Sequence, residues 1–260
     1  ENSDIDNLLS DLDVVIATND SGDYYIPNNN VNTIGHWENG RGYEVLLDGF
    51  EDNTLSVMGY AISPYTEITL QPLLVNNISY LLDSPTSIAS VFEGTESILV
   101  IADDQGHYYI PGYNLNTIDS SGGMKPGKGY KVLISGTEPI EFVYGEADDT
   151  ALGRNLSVVG ASENYNVTRT GVSHPIIIDD LSGLVSDGDE LIAYADGVPV
   201  GVTTINTDDT NLLVAWKSLY EYGIDTDGYY DGDQIELRLF SQELGEELMV
   251  TCSFNAESYG

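Results

Sequence analysis

Asn19-Asp20-Ser21-Gly22-Asp23-Tyr24-Tyr25-Ile26-Pro27 returns later in the chain as Asp103-Asp104-Gln105-Gly106-His107-Tyr108-Tyr109-Ile110-Pro111, 84 positions on. An apolar run precedes each copy, Val15-Ile16-Ala17 in the first and Val100-Ile101-Ala102 in the second. Apolar runs flanking an acidic, Gly-containing turn, with proline closing the second run, read as a short β-hairpin. Working outward, Asn32-Thr33-Ile34 recurs as Asn116-Thr117-Ile118 at the same offset, and Gly40-Arg41-Gly42-Tyr43 as Gly127-Lys128-Gly129-Tyr130 at an offset of 87. The slip is a loop insertion around Ser120-Ser121-Gly122-Gly123. Upstream, Ile5, Leu8 and Leu9 match Ile88, Val91 and Phe92, an i, i+3, i+4 stripe that predicts one or two helical turns in each copy. Ser84-Pro85-Thr86 supplies capping chemistry for the second.

Self-similarity of this kind marks a repeat architecture. Two units are expected, at about residues 1–65 and 84–146, each running helix, strand, hairpin turn, strand, Asn-Thr-Ile connector, Gly-x-Gly turn and a final strand such as Tyr43–Leu47. Glu67–Leu70 and Asn77–Leu82 are further strand candidates between them. No counterpart of the latter precedes Ile5, so the first unit reads as truncated and the chain as a piece of a longer one. The opening Glu1-Asn2-Ser3-Asp4 fits a processed end or an internal boundary.

The second half is punctuated differently. Leu191–Ala195 and Val198–Val202 flank Asp196-Gly197, a strong two-residue hairpin signal. Strands are expected at Leu212–Trp216, Ile235–Phe240 and Leu248–Phe254, a spacing that suggests a sandwich of roughly a hundred residues. The polar stretch Ala147–Arg154 is the expected boundary. The predicted fold is thus all-β with short helices: two tandem repeat units in residues 1–150, then an immunoglobulin-like β-sandwich in 151–260.

Composition excludes some functions. Eight Lys and Arg stand against 43 Asp and Glu, a formal net charge of -35, with a sequence pI near 4.1. Binding a phosphate backbone needs clustered cations, so nucleic acid is not an expected partner. Self-repulsion at this charge favours a saline or calcium-containing medium. No apolar run is long enough to insert in a membrane. The single cysteine, Cys252, excludes an internal disulfide framework; it lies in the period-2 series Leu248, Val250, Cys252, Phe254 and is expected to be a small core residue.

The order of these motifs resembles a module of secreted multidomain proteins of the Bacteroidota, many of them exported by the type IX system. The family pattern is an acidic Gly turn, an aromatic-x-Pro strand end, an Asn-x-Ile connector, then Pro-Gly-x-Gly-Tyr and a strand. Here Asp104–Pro111, Leu115–Ile118 and Pro126-Gly127-Lys128-Gly129-Tyr130 carry it, with the equivalent positions of the first unit. Gly188-Asp189-Glu190-Leu191-Ile192, followed by Asp196-Gly197-Val198 and Gly201, is similar to a hairpin that often follows such repeats. The Trp of the family's Gly-Trp-Asn strand is absent near Leu74-Val75-Asn76-Asn77. The resemblance implies an extracellular or cell-surface accessory region, flanked by other domains of the parent chain, with no known catalytic residue set.

Candidate sites are few. Gly40-x-Gly42 and Gly127-x-Gly129 are followed by strands and not helices, which argues against a phosphate cradle. Arg41 and Lys128 occupy equivalent positions in a cation-poor chain, so each is expected to pair with a nearby carboxylate. Asp225, Asp227, Asp231 and Asp233 lie within nine residues and are a candidate calcium loop, although an EF-hand register places Gly223 first and Gln234 twelfth where acids are required. The plain alternative is an Asp/Gly-rich turn. His36, His107 and His174 show no zinc spacing, and no Gly-x-Ser-x-Gly elbow occurs. Adjacent strand residues face opposite sides, so one tyrosine of each Tyr-Tyr pair reaches solvent; Tyr25 and Tyr109 are the candidates for stacking on sugar rings. The expectation is a non-catalytic structural or adhesive module, with calcium as its one suggested cofactor. The alternative is a module binding a glycan or a surface protein through exposed tyrosines.

Overall fold

The computed structural model describes residues 3–49, 53–145, 162, 164–178, 181–183, 185–208 and 210–253. The chain divides into two compact units, Glu1–Val158 and Val159–Gly260. The boundary expected at Ala147–Arg154 lies outside the described residues. The described chain is mostly antiparallel β-structure with three short helices, and no helix in it is long and apolar enough to cross a membrane.

In the first repeat, helix α1 (Ile5–Leu8) precedes strands β1 (Val14–Thr18), β2 (Tyr24–Ile26), β3 (Val31–Asn32) and β4 (Glu44–Leu47), which form one sheet in the order β3-β2-β1-β4. A linking segment follows with β5 (Ile68–Leu70) and β6 (Val75–Ser79). The second repeat has α2 (Ile88–Val91), β7 (Ile98–Ala102), β8 (Tyr108–Ile110), β9 (Leu115–Asn116), α3 (Thr117–Ser120) and β10 (Gly129–Ile134), then β11 (Ile140–Phe142). Its sheet runs β6-β10-β7-β8-β9, while β11 pairs with β5. Both predicted helical turns are present. Asp4 caps α1 and Ser87 caps α2, so the second cap lies just beyond the expected Ser84–Thr86; Thr86 instead bridges to Met124.

The apolar stripe of α1 buries Ile5 and Leu9 against Val14, Ala17 and Tyr25. The second repeat's core is larger, because Ile68, Leu70, Ile78 and Tyr80 of the linking segment join Ile88, Phe92, Ile101 and Val132. Burying such side chains stabilises by about 1.5–3 kcal/mol each relative to exposure.

The second unit has β12 (Ser173–Ile178), β13 (Glu190–Ala195), β14 (Val198–Thr204), β15 (Asn211–Trp216), β16 (Ile235–Ser241) and β17 (Glu246–Met249). These pair as β12-β15 and as β14-β13-β16-β17. Leu213 and Ala215 of the first sheet share one core with Leu191, Ala193, Leu237 and Leu239 of the second. This unit thus has two antiparallel sheets around one core, with six strands among the described residues. Asp196 and Gly197 have φ of 48° and 80°, as a two-residue hairpin turn requires. Strand β17 stops at Met249, where its pairing with Arg238 of β16 ends. The strand expected at Leu248–Phe254 is thus displaced upstream over the described residues, Phe254 lying outside them. Cys252 is exposed, a correction to its core assignment, since beyond Met249 no sheet imposes the alternation that would turn it inward.

Gly201 sits where β14 passes against β15, and a Cβ there would collide with the Val214 carbonyl oxygen. Overpacking of this kind costs about 1–3 kcal/mol or more. Gly201→Ala is expected to lower stability by about 2–3 kcal/mol in urea denaturation, whereas Gly112→Ala, with nothing near its Cβ, stays within about 0.5 kcal/mol of the parent.

Candidate functional site

The polar residues shared by the repeats make the same bonds in both. In each hairpin turn the first residue's side chain accepts from two backbone amides: Asn19 Oδ1 from Ser21 and Asp23, Asp103 Oδ1 from Gln105 and His107. Across the turn the polarity of the side-chain pair is exchanged. Asn19 Nδ2 donates to Asp23 Oδ2, whereas the His107 ring bonds Asp103 Oδ2 at 2.7 Å. Tyr24 N donates to Thr33 Oγ1 and Tyr108 N to Thr117 Oγ1. The Tyr43 hydroxyl accepts from Glu38 N and the Tyr130 hydroxyl from Lys125 N.

The expected ion pairs are present in both copies. Arg41 meets Asp20 at 3.1 Å and Lys128 meets Asp104 at 3.2 Å. They are not energetically alike. The Asp20 side chain is 7% exposed and Asp104 is 55% exposed, and Asp20 Oδ2 also accepts from Asn77 N of β6. Asp20→Ala is expected to cost about 2–3 kcal/mol, as loss of buried charge-assisted bonds does, and Asp104→Ala less than about 1 kcal/mol; thermal unfolding of the two variants side by side checks the difference.

Tyr25 is buried, which corrects its assignment as a sugar-stacking residue. It pairs with Ala17 of β1, and directly opposed residues share a face; that face packs on α1. Burial first, then a hydrogen bond to Asp6, raises its phenol pKa. Tyr109 pairs with the fully buried Ile101 and packs, half-buried, against the second core. The outward ring of the first pair is Tyr24.

The four aspartates of the acidic loop are not brought together as a ligand set. Asp231 is engaged with Lys217 at 2.9 Å, and Asp233 Oδ2 accepts from Tyr230 N within its own turn. Asp225 and Asp227 are exposed. Among the described residues no group of three or more His, Cys, Asp or Glu side chains is placed to hold a metal ion. Lys217 is flanked on the other side by Glu221 at 3.0 Å. Asp231, then Glu221, hold its ammonium above the ordinary range, against burial.

This loop does form an aromatic corner that pattern reasoning missed. Tyr220 and Tyr230 are exposed and meet edge to face, ring centroids 6.3 Å apart. Ser218, whose hydroxyl donates to the Thr226 carbonyl, and Thr226, whose hydroxyl accepts from Leu219 N, tie the two arms. A Cβ on Gly228 would strike the Ser218 backbone, so glycine there permits the arms to meet. The rings lie ten residues apart in sequence, outside any strand or helix period, so only the folded loop reveals them.

A second cluster lies on the four-stranded sheet. Tyr165 and Tyr194 both donate to Glu247 Oε1, at 2.8 and 2.6 Å. Arg238 bonds Glu247 Oε2 and lies over the Tyr194 ring. The two hydroxyls, then Arg238, outweigh burial and hold the Glu247 carboxyl below its ordinary range. Tyr194 is pushed up to about 12, first by burial and then by Glu247. Both phenols donate to one carboxylate oxygen, which joins Tyr165 to strands β13 and β17. His36, His107 and His174 lie on separate elements: beside Ser3, in the Asp103 turn, and on β12.

No family model matches the chain, and neither does a curated protein or a solved structure.

Three carboxyls among the described residues are depressed: the exposed Asp187, which accepts from Thr207, and Asp103 and Glu247, from which the pH dependence is argued. Burial acts to raise Asp103, but the His107 ring and the backbone amides of His107 and Gln105 together hold it low; Glu247 is low for the reasons above. Groups with depressed folded pKa values add stability above the unfolded carboxyl range and lose it as pH falls through the folded values. Tyr194, being raised, contributes fully below about pH 10 and loses its share only towards its folded value. Stability measured by urea is therefore expected to be level between about pH 5 and 9 and to fall below about pH 4. Glu247→Gln is expected to flatten part of the acid limb.

Proposed function

We propose that this chain is a non-catalytic structural module of a bacterial extracellular or surface protein, one that extends, spaces or displays its neighbouring domains. One observation carries the reading: in both repeats the recurring polar residues hold turns and strand ends and are not left converging on a cleft. Asp20 and Asp104, Arg41 and Lys128, Thr33 and Thr117, and Tyr43 and Tyr130 are matched pairs doing matched mechanical work. The resemblance to repeats of secreted Bacteroidota proteins points the same way. Calcium enters through the charge of -35, which any cation would screen; specific stabilisation would require Asp231 to leave Lys217. Equal melting temperatures in calcium and in chelator, at matched ionic strength, would remove calcium from the reading.

A second reading, binding of a glycan or a surface protein, is favoured by the Tyr220 and Tyr230 corner, where exposed rings stand beside Lys217, Glu221 and Asp231. Exposed aromatic faces with polar neighbours suit sugar rings. On a glycan array the wild-type chain is expected to show no saturable binding. Saturable binding that disappears in the Tyr220→Ala, Tyr230→Ala double variant would replace the scaffold reading with the second.

A further inference from the structure

The two repeats differ in what covers their last strands. In the second, β10 is internal, with β6 on one side and β7 on the other, and the chain beyond it pairs through β11 with β5. In the first, β4 ends its sheet. The residues that follow β4 nevertheless keep the register of the second repeat. Gly49 stands 87 positions before Gly136, and both have positive φ. At the same offset Leu55 matches Phe142 and Val57 matches Tyr144.

Phe142 and Tyr144 are each 5% exposed. Phe142 pairs with Ile68 and stacks on Phe92; Tyr144 meets the Tyr80 ring, and its hydroxyl donates to the Ser79 carbonyl. Their counterparts Leu55 and Val57 are 42% and 57% exposed, and Met58 and Tyr60 beside them 100% and 88%. The difference is the segment Ile68–Tyr80, which lines the core of the second repeat and has no equivalent against the first among the described residues.

Backbone alternation indicates that the corresponding side of β4 carries no strand among the described residues. Gly40 O accepts from Ser79 N and Gly42 N donates to Asn77 O, so these residues turn towards β6. Lys128, the counterpart of Arg41, gives its carbonyl to Tyr80 N. Successive strand residues direct their polar groups to opposite sides, so Arg41, Tyr43 and Val45 face the side that β10 fills with β6. An edge of this kind is a template for strand addition. Main-chain bonds supply affinity there, and pockets for alternate side chains supply selectivity.

We propose that the first repeat is an acceptor for the linking segment of another repeat of this type. A strand like β6 adds to the open side of β4, and a strand like β5 adds to residues 53–57, burying Leu55 and Val57. The occupant is defined by the pattern of Ile68, Leu70, Ile78 and Tyr80: apolar side chains at alternate strand positions that enter the core beneath the edge. This names the partner of the scaffold proposed above and rests on that reading only for the partner being a further repeat.

The test joins a second copy of residues 63–83 directly ahead of Glu1. Ile5 and Ile88 are 83 positions apart, so the copy of Asp83 meets Glu1 as Asp83 itself meets Ser84. Amide exchange at residues 44–47 and 53–60 is expected to slow by about tenfold or more, and the melting temperature to rise. A graft with its copies of Ile68, Leu70 and Ile78 changed to Asp is expected to show neither effect. Should the longer chain fail to fold, the same segment added as a free peptide to the full chain is expected to protect the same amides. Unchanged exchange with both graft and peptide would overturn the proposal, as would equal protection by the Asp-substituted graft. Concentration-dependent dimerisation of the unmodified chain that protects these amides would overturn it in favour of a second copy. None of these results bears on glycan binding, so the two readings fail separately.

Discussion

Strand β6 is hydrogen-bonded to both repeats, and the organisation of the first unit depends on that shared strand. One side pairs with β10 from Gly129 to Leu133; the other meets Gly40–Gly42 of the first repeat. Its two central residues are buried asparagines. Asn76 satisfies the turn before it, accepting from Gln71 N and donating to Gln71, Leu74 and Val132 carbonyls. Asn77 reaches the first repeat, its N–H bonding Asp20 and its side chain Glu44. Buried polar groups are tolerated where they are bonded; the Asn77 N–H and side-chain NH2 are bonded across to the first repeat, while Asn77 Oδ1 is a buried atom with no partner among the described residues.

The cations serve the same end. Among the described residues, Arg41, Lys128, Lys131, Lys217 and Arg238 form ion pairs with carboxylates. Lys131 of β10 meets Glu44 of β4 at 2.8 Å, a second tie between the repeats beside β6. In a chain carrying 43 acids, the pairs Arg41–Asp20, Lys128–Asp104 and Lys131–Glu44 hold together segments that would otherwise repel one another. Surface charge of this magnitude keeps a protein soluble and works against its compactness; the buried Asp20 contact is where pairing matters most for stability.

Much of this was legible in the sequence because it is local. The acidic Gly turns, the proline that closes β2 and β8, the Asp196-Gly197 hairpin and the helical stripes at Ile5 and Ile88 each depend on neighbours within a few residues. The ion pairs of Arg41 and Lys128 reach farther, to acids 21 and 24 residues away, and were legible only because the same residue types recur at matching places in both copies. The Tyr220 and Tyr230 corner and the Glu247 cluster could not be read this way, since they join side chains by loop folding and by pairing across long separations in the chain.

The sequence by itself determined the all-β class and the recurring turns that articulate it, because turn geometry is a property of short peptides. Only the tertiary structure decided which way each strand faces. Alternation says that Tyr24 and Tyr25 point to opposite sides; it is the pairing of Tyr25 with Ala17, over α1, that sends Tyr25 inward. The same reason places Cys252 outside, past the last residue that β16 holds, and leaves Leu55 and Val57 exposed where their counterparts Phe142 and Tyr144 are buried. A residue's period is written in its neighbours, whereas its burial depends on a partner segment that the local pattern does not name.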